Sequence, residues 1–118
     1  MANTARQGAT LEREVRQLLD DRGYLTARAA ASAGTAKVDV FAFHPEHGAV
    51  LVQCKLHDPR ISPAERRGLT TVANVCYGVP VVAWRHVEKG RRSEIRFREL
   101  TGPGPKDWRD WQLPDVHC

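Results

Sequence analysis

Apolar residues recur at helical spacing near the start of the chain. They fall at i, i+4, i+7 and i+8, which predicts a helix with one buried stripe from about Thr10 to Arg22. The stripe consists of Leu11, Val15, Leu18 and Leu19. Thr10 is a suitable N-cap, and Gly23 is a suitable residue to end the helix. The first predicted element is therefore an amphipathic helix.

Five later segments have the pattern of β-strands. Residues 24–30 predict a first strand, and the segments AKVDVFAF and AVLVQCKL predict two more, joined by the turn HPEHG. The short apolar run VPVVAW is typical of a buried strand, whereas EIRFREL alternates between apolar and polar residues. In that last strand Ile95 and Phe97 are expected to face inward, and Arg96 and Arg98 outward.

A second helix is signalled by Ser62-Pro63-Ala64-Glu65, a capping box with proline at the first helical position. Its apolar stripe consists of Leu69, Val72, Ala73 and Cys76. Gly78 would end it. The predicted order is therefore α-β-β-β-α-β-β, followed by the loop TGPGP and a tail that docks Trp108 and Trp111 on the body.

Length and composition limit the class of protein. A chain of 118 residues predicts a single domain, with a core over about residues 10–100 and a loop and tail over 101–118. No segment approaches the roughly 20 apolar residues that span a bilayer, and the N-terminus lacks an apolar signal core. We therefore expect a soluble protein without membrane contact, located in the cytoplasm, on the nucleoid or in a phage-infected cell.

Cysteine and histidine spacing gives no sign of a zinc site. The three cysteines, Cys54, Cys76 and Cys118, form no paired C-x-x-C, and the five histidines follow no regular ligand spacing. We expect reduced thiols, with Cys54 and Cys76 used for core packing.

The register of the HPEHG hairpin places polar groups together. If the loop has five residues, Phe43 faces Ala49, and continuing the pairing sets Asp39 opposite Gln53. Lys55 shares the face of Gln53, because strand side chains alternate. An unpaired carboxylate inside the apolar run VDVF would be costly to bury, so Asp39 requires a partner.

A divalent cation is one such partner. Oxygen ligands from Asp39 and Gln53 suit Mg²⁺, with Mn²⁺ as a substitute, and such ions complete their shell with water and substrate phosphate. The Lys55 ammonium can hold the attacking water or offset charge on phosphoryl oxygens. The alternative is an Asp39–Lys55 ion pair in which Gln53 is only a spacer.

These residues resemble the PD-(D/E)XK nuclease superfamily. The resemblance rests on Glu12 in the first helix, Val38-Asp39-Val40 on one strand and Gln53-Cys54-Lys55 on the next. The stretch ARAAASAG before the aspartate resembles the archaeal-type Holliday junction resolvases. The likeness covers residues 10–84 and implies a restriction-endonuclease-like α/β core, in α-β-β-β-α-β order, with a mixed central sheet flanked by helices.

The resemblance also implies roles for single residues. The catalytic residues it implies are Glu12, Ser32, Asp39, Gln53 and Lys55. The metal ligands it implies are Glu12, Asp39, Gln53 and the backbone carbonyl of Cys54. Arg28 and Ser32 would approach the scissile phosphate. The alternatives are that Glu12 is a solvated carboxylate in the first helical turn and that Ser32 is an ordinary loop residue.

Gln53 departs from the superfamily pattern, which has a carboxylate at this position. An amide keeps an oxygen donor but removes one negative charge, so weaker Mg²⁺ binding is expected. Three explanations remain: a natural variant that cleaves, a degenerate member that binds without cutting, and an engineered change that traps substrate. We favour the first, because Glu12, Asp39 and Lys55 are all present.

Positive charge favours a nucleic acid partner. The chain has 18 Lys and Arg against 14 Asp and Glu, a net charge of +4, and basic residues crowd the segment 85–98. That segment is either a ridge that contacts phosphates or a solvated hairpin. The candidate DNA-binding residues are Arg28, Ser32, Lys37, Arg60, Arg91, Arg92, Arg96 and Arg98.

The hypothesis from sequence is a metal-dependent, structure-selective endonuclease that resolves four-way DNA junctions by phosphodiester hydrolysis. Recognition would depend on shape and phosphate contacts. The two-fold symmetry of a junction and the resemblance imply a homodimer, with the helix 62–77 or the tryptophan tail as interface. The alternatives are another nuclease of the superfamily, of nicking or restriction type, and a non-catalytic protein that binds branched DNA.

Overall fold

Two helices and six strands make up the described part of the chain. The structure is a computed structural model that describes residues 4–29 and 38–115, with side chains from residue 6 onward. The elements in chain order are α1 (Thr4–Asp20), β1 (Leu25–Arg28), β2 (Val40–His44), β3 (Gly48–Lys55), α2 (Pro63–Val75), β4 (Val79–His86), β5 (Glu94–Leu100) and β6 (Trp108–Asp110).

The strands form one mixed sheet in sequential order from β1 to β6. β3 and β4 are parallel and are connected through α2, while all other neighbouring strands are antiparallel. A parallel pair needs a crossover connection, and α2 provides it. The predicted α/β class with a mixed sheet between helices is confirmed, and β6 is an addition to it.

The two helices cover opposite faces of the sheet. On one face the α1 stripe residues Leu11, Val15 and Leu19 are buried against strand residues that include Val52. On the other face Leu69 and Ala73 of α2 pack in a second cluster with strand residues that include Leu51. Because Leu51 and Val52 are consecutive, the alternation of β3 separates the two cores.

Helix α1 begins at Thr4, so the predicted N-cap at Thr10 is wrong. The Thr10 hydroxyl donates to the carbonyl of Arg6 at 3.0 Å, the contact of a residue inside a helix. The preceding residues contain no proline, and the helix extends through them. The predicted end is confirmed: Gly23 has φ +88°, and the Tyr24 N–H donates to the carbonyl of Leu19.

Helix α2 has the predicted capping box, with Ser62 accepting from the Glu65 N–H and Glu65 accepting from the Ser62 N–H. The chain turns after the helix at Tyr77, which has φ +53°. Gly78 follows because a Cβ there would lie 2.4 Å from the Leu51 side chain. Glycine is therefore required by this close approach.

The segment predicted as a loop and tail contains a strand, β6, which pairs with β5. Trp111 packs edge-on against Phe97, with ring centroids 5.3 Å apart, so its predicted docking is confirmed. Buried Arg66 of α2 donates to the carbonyls of Gly102 and Asp107, which holds the loop between β5 and β6 against α2.

Neither described helix is long and apolar enough to cross a membrane.

Candidate active site

Asp39 lies where the ladder between β2 and β3 ends. The predicted register is confirmed from His44 to Val40, including Phe43 opposite Ala49. At Asp39 the regular pairing stops: its N–H donates to the carbonyl of Val52 at 2.8 Å, and its carboxylate accepts from the N–H of Cys54 at 2.7 Å. Asp39 is therefore hydrogen-bonded to Val52 and Cys54, the residues on either side of Gln53. The ladder does not include the predicted pair of Asp39 and Gln53, so that part of the register is wrong.

The electrostatic surroundings of Asp39 favour a cationic partner. Burial raises the pKa of the Asp39 carboxyl, and the hydrogen bond from Cys54 opposes that effect. The negative charge of Glu12 raises this pKa further, while the positive charges of Lys55 and Arg28 lower it. Asp39 thus lies in the electrostatic field of groups from both faces of the sheet, and a bound cation would offset the cost of burying its charge.

Gln53 and Lys55 converge on a residue of α2. The Gln53 amide Nε2 donates to Glu65 Oε2 at 2.7 Å, and the Lys55 ammonium forms an ion pair with the same oxygen at 2.6 Å. The predicted proximity of Gln53 and Lys55 is therefore observed. Lys55 forms its ion pair with Glu65 rather than with Asp39, so the alternative of an Asp39–Lys55 pair is wrong.

One atom of this cluster has no partner among residues 4–29 and 38–115. Gln53 is 6% exposed, and its Oε1 oxygen is buried without a hydrogen bond from any of these residues. The amide orientation is fixed by Glu65, because the reverse orientation would bring two oxygens within 2.7 Å. A buried acceptor without a partner costs about 1–3 kcal/mol, so this oxygen is available to accept a hydrogen bond from water or to bind a cation.

The donor set fits a hard divalent cation. Asp39 supplies a carboxylate and Gln53 an unpartnered amide oxygen, the ligand types that Mg²⁺ and Mn²⁺ prefer. Within residues 4–29 and 38–115, no three His, Cys, Asp or Glu side chains are grouped as a ready metal cluster. Mg²⁺ usually keeps several waters and needs only one or two carboxylates, so this small set is sufficient.

Glu65 is the site residue that the sequence did not reveal. Its place in the capping box was predicted, and its Oε1 does accept from the Ser62 N–H at 2.8 Å. Burial raises the pKa of Glu65, but hydrogen bonds from Lys55, Ser62 and Gln53 outweigh that effect and lower it to about 2. The short connection from Lys55 to Ser62 was the available signal, since it holds the first turn of α2 near the end of β3.

Glu12 approaches from α1. Its carboxylate forms an ion pair with Arg28 of β1 at 2.7 Å, with side chains 17% and 58% exposed respectively. Because α1 begins at Thr4, Glu12 lies in the middle of the helix, and the alternative of a solvated first-turn carboxylate is wrong. The structure therefore brings together Glu12 and Arg28, two of the residues that the resemblance assigned to the site.

The remaining assigned residues have different outcomes. The Cys54 N–H binds Asp39, and its side chain packs against the α1 core, where burial and the negative charges of Asp39 and Glu12 raise the thiol pKa. Cys76 packs in the other core, so the packing role predicted for both thiols is confirmed. Ser32 and Lys37 lie outside the described residues, and their roles stay predictions.

Most candidate DNA-binding arginines lie at the surface. Arg91 and Arg92 are exposed, as are Arg60 and Arg96, which form ion pairs with Asp58 and Glu94 respectively. Arg98 lies on the face of the sheet away from Phe97, as expected, but it is partly buried rather than exposed.

The Arg98 guanidinium is partly buried over the rings of Trp108 and Trp84, at 3.5 and 5.0 Å from their centroids. It lines two grooves, one of about 180 Å³ shared with Arg60 and one of about 550 Å³ shared with Arg96. Arg98 therefore connects concave surfaces on which basic side chains lie.

Comparisons with known proteins agree with this architecture. Residues 3–101 match the family described as archaeal Holliday junction resolvase (Hjc). Among solved structures, the chain is similar to the Holliday junction resolvase Hjc of the archaeal hyperthermophile Archaeoglobus fulgidus, with a TM-score of 0.61 and 21% identity. That alignment covers 77% of this chain and 70% of the other. The search of curated proteins found no match.

Proposed function

This chain belongs to the archaeal Holliday junction resolvase family. We propose that it cuts four-way DNA junctions by phosphodiester hydrolysis, assisted by a metal ion that Asp39 binds. The family makes it a junction-resolving endonuclease that binds branched DNA and acts in recombination and repair. Members of the family generally depend on a divalent metal. The proposal adds the ion, Mg²⁺ with Mn²⁺ as substitute, and the residues that bind it. An intracellular location follows from the DNA substrate.

The proposal is supported above all by the buried Oε1 of Gln53, to which no residue in the described ranges donates a hydrogen bond. Asp39 and that oxygen would hold the ion, joined by the Cys54 carbonyl and Glu12 as the resemblance implies. When bound, the ion would make water a stronger nucleophile and neutralise charge on the phosphoryl oxygens. A neutral amide at position 53 is compatible with this role, because amide oxygens are ordinary ligands of hard cations.

Lys55 would contact the reacting phosphate. Its ammonium is partly exposed, with 27% of the side chain accessible, and Glu65 holds it beside Gln53. An ammonium fixed in this way can donate hydrogen bonds to a phosphoryl oxygen as negative charge develops there. Ser32 and Arg28 would approach the same phosphate, as the resemblance implies.

Basic side chains extend from the site across the sheet. Gln53 pairs with Val82 of β4, and Val82 pairs with Arg98 of β5. Lys55 and Arg96 are related in the same way through Trp84. We propose that a DNA arm follows this direction over the grooves at Arg98. The further phosphate contacts we propose are Lys37, Arg60, Arg91 and Arg92.

A homodimer would present two such sites to a symmetric junction. The end of α2 offers an apolar surface for this purpose, because Val75 and Tyr77 are 75% and 97% exposed. Large exposed apolar side chains at one place are typical of association surfaces. We therefore favour α2 over the tryptophan tail as the interface.

Sedimentation of wild type and Tyr77→Ser would test this interface. A dimer of the variant as stable as that of wild type would contradict it.

A junction cleavage assay tests the proposed function. Labelled four-way junctions and linear duplexes of the same arm sequence are incubated with wild type, Asp39→Asn and Asp21→Asn, in Mg²⁺ or Mn²⁺. Wild type should cut only junctions, and Asp39→Asn should lose at least about 100-fold in rate while still binding them. Exposed Asp21 is the matched control for loss of one carboxylate. Equal rates for Asp39→Asn and wild type would contradict the assignment.

A further inference from the structure

Glu65 has a charge that position 53 lacks. At that strand position the chain carries the neutral amide Gln53, yet a carboxylate oxygen from α2 lies 2.7 Å from the amide nitrogen. The same oxygen binds Lys55, so one residue of α2 contacts both polar side chains of the strand end. None of the comparisons assigns a role to this residue.

The orientation of the Gln53 amide depends on Glu65. A carboxylate accepts hydrogen bonds and cannot donate them, so it selects the amide orientation in which Nε2 faces it. The other end of the amide, Oε1, then accepts no hydrogen bond from the described part of the chain, although Gln53 is only 6% exposed. Without the carboxylate, the amide could reverse and present its donor NH₂ group, which repels a cation.

We propose that Glu65 is a positioning residue that restores the cation affinity of the site by fixing the Gln53 oxygen and the Lys55 ammonium, and by supplying one negative charge from α2. The inference rests on the proposed function, since it concerns the same cation. It makes Gln53 and Glu65 a single unit in which the charge lies on the helix and the ligand oxygen on the strand. Exchanging the two residues should therefore preserve the unit.

The capping role of Glu65 can be separated from this positioning role. Glutamine at the third helical position also completes a capping box, because its side-chain oxygen can accept from the Ser62 N–H. Glu65→Gln therefore keeps the cap and removes the charge. In that variant the new amide can pair with either end of the Gln53 amide, so the orientation is no longer selected.

The test is Mn²⁺ binding by isothermal titration, without DNA, to wild type, Glu65→Gln and the exchange variant Gln53→Glu/Glu65→Gln. Glu65→Gln should bind Mn²⁺ at least about tenfold more weakly than wild type, in line with the usual effect of losing a group that orients a ligand. The exchange variant should bind Mn²⁺ at least as tightly as wild type, because the negative charge is again present and now lies on the ligand itself. A purely structural role for Glu65 would leave the Mn²⁺ affinity of Glu65→Gln equal to that of wild type.

Thermal unfolding in EDTA supplies the folding control. Gln53→Glu alone should melt below both wild type and the exchange variant, because two carboxylates would then face each other. If Glu65→Gln does not fold, Glu65→Asp retains the charge but withdraws it from Gln53 and should also weaken Mn²⁺ binding. Wild-type Mn²⁺ affinity in Glu65→Gln, or no recovery of affinity in the exchange variant, would overturn the positioning role of Glu65. Neither result would contradict the metal-assisted function. Absence of Mn²⁺ binding by wild type would instead overturn the metal-assisted function.

Discussion

Glu65 of α2 and Glu12 of α1 lie on opposite faces of the sheet, and each forms an ion pair with a basic side chain of a strand. Glu65 is 23% exposed, and its three donors are Lys55, Gln53 and the Ser62 N–H. Glu12 is held by Arg28, a side chain that is 58% exposed. Both pairs lie close to Asp39, whose pKa responds to Glu12, Lys55 and Arg28.

The difference separates two tasks within one site. Because Glu65 is held by several partners, including a buried amide, it can set the orientation of its neighbours before any ligand arrives. Glu12 has an exposed partner that an incoming phosphate can compete for, so Glu12 and Arg28 can be parted at little cost. We infer that the α2 side of the site is preorganised and that the α1 side responds to the substrate.

The largest expected effect is on the cleavage rate, when the basic side chain on each side of the site is replaced. Lys55→Met should reduce the junction cleavage rate at least about 100-fold, because the ammonium is positioned to stabilise developing charge. Arg28→Met should reduce it by about tenfold, since Arg28 acts through Glu12 or through one exposed phosphate contact. Rates under single-turnover conditions with saturating enzyme measure both effects. Equal losses in the two variants would remove the distinction between the sides.

Stability should distinguish the same two variants when no metal is present. Lys55→Met should lower the free energy of unfolding by about 1 kcal/mol, because Glu65 and Gln53 are shielded from water and lose a charged neighbour. Arg28→Met should change it by no more than about 0.5 kcal/mol, as for other exposed ion pairs. Urea unfolding at pH 7 in EDTA measures both values. A larger loss of stability for Arg28→Met than for Lys55→Met would contradict the inference that the α2 side of the site is the preorganised one.

The smallest expected effect is a dependence on acid. The pKa of Glu65 is lowered to about 2 from a usual value of 4.5, so the ionised form is favoured by folding. The stability that this carboxylate contributes is present above about pH 4.5 and is lost as the pH falls through about 2. The difference in unfolding free energy between wild type and Glu65→Gln should therefore shrink from pH 5 to pH 2.

The acid series needs a matched variant. Asp21→Asn, at the exposed position directly after α1, reports the general effect of removing one surface carboxylate over the same pH range. A wild-type advantage over Glu65→Gln that stays constant down to pH 2 would show that the hydrogen bonds to Glu65 do not depend on its charge.

Local patterns in the sequence were sufficient for much of the fold. The spacing of Leu11, Val15 and Leu19 predicted the buried stripe of α1, and the capping box at Ser62 predicted the start of α2. The loop length of HPEHG predicted the pairing of Phe43 with Ala49. Each of these signals is carried by neighbours in the sequence, so no tertiary contact was needed to recognise it.

Features that depend on distant contacts were not predictable. Strand β6 exists because Trp108–Asp110 finds the edge of β5, a partner that a three-residue segment does not reveal. The ladder ends at Asp39 because its side chain replaces a backbone acceptor for the Cys54 N–H, and this changes the relation to Gln53. The second role of Glu65 was indicated only by the short connection between Lys55 and Ser62, and the side-chain contacts that define it are visible only in the structure.

A crystal structure with bound Mn²⁺ would show whether Asp39 and Gln53 hold the cation. We expect an anomalous scattering peak about 2 Å from a carboxylate oxygen of Asp39 and from Gln53 Oε1, with the Gln53 nitrogen still facing Glu65. A peak elsewhere, or a Gln53 amide whose oxygen is turned away from the ion, would show that Asp39 and Gln53 do not form the cation site.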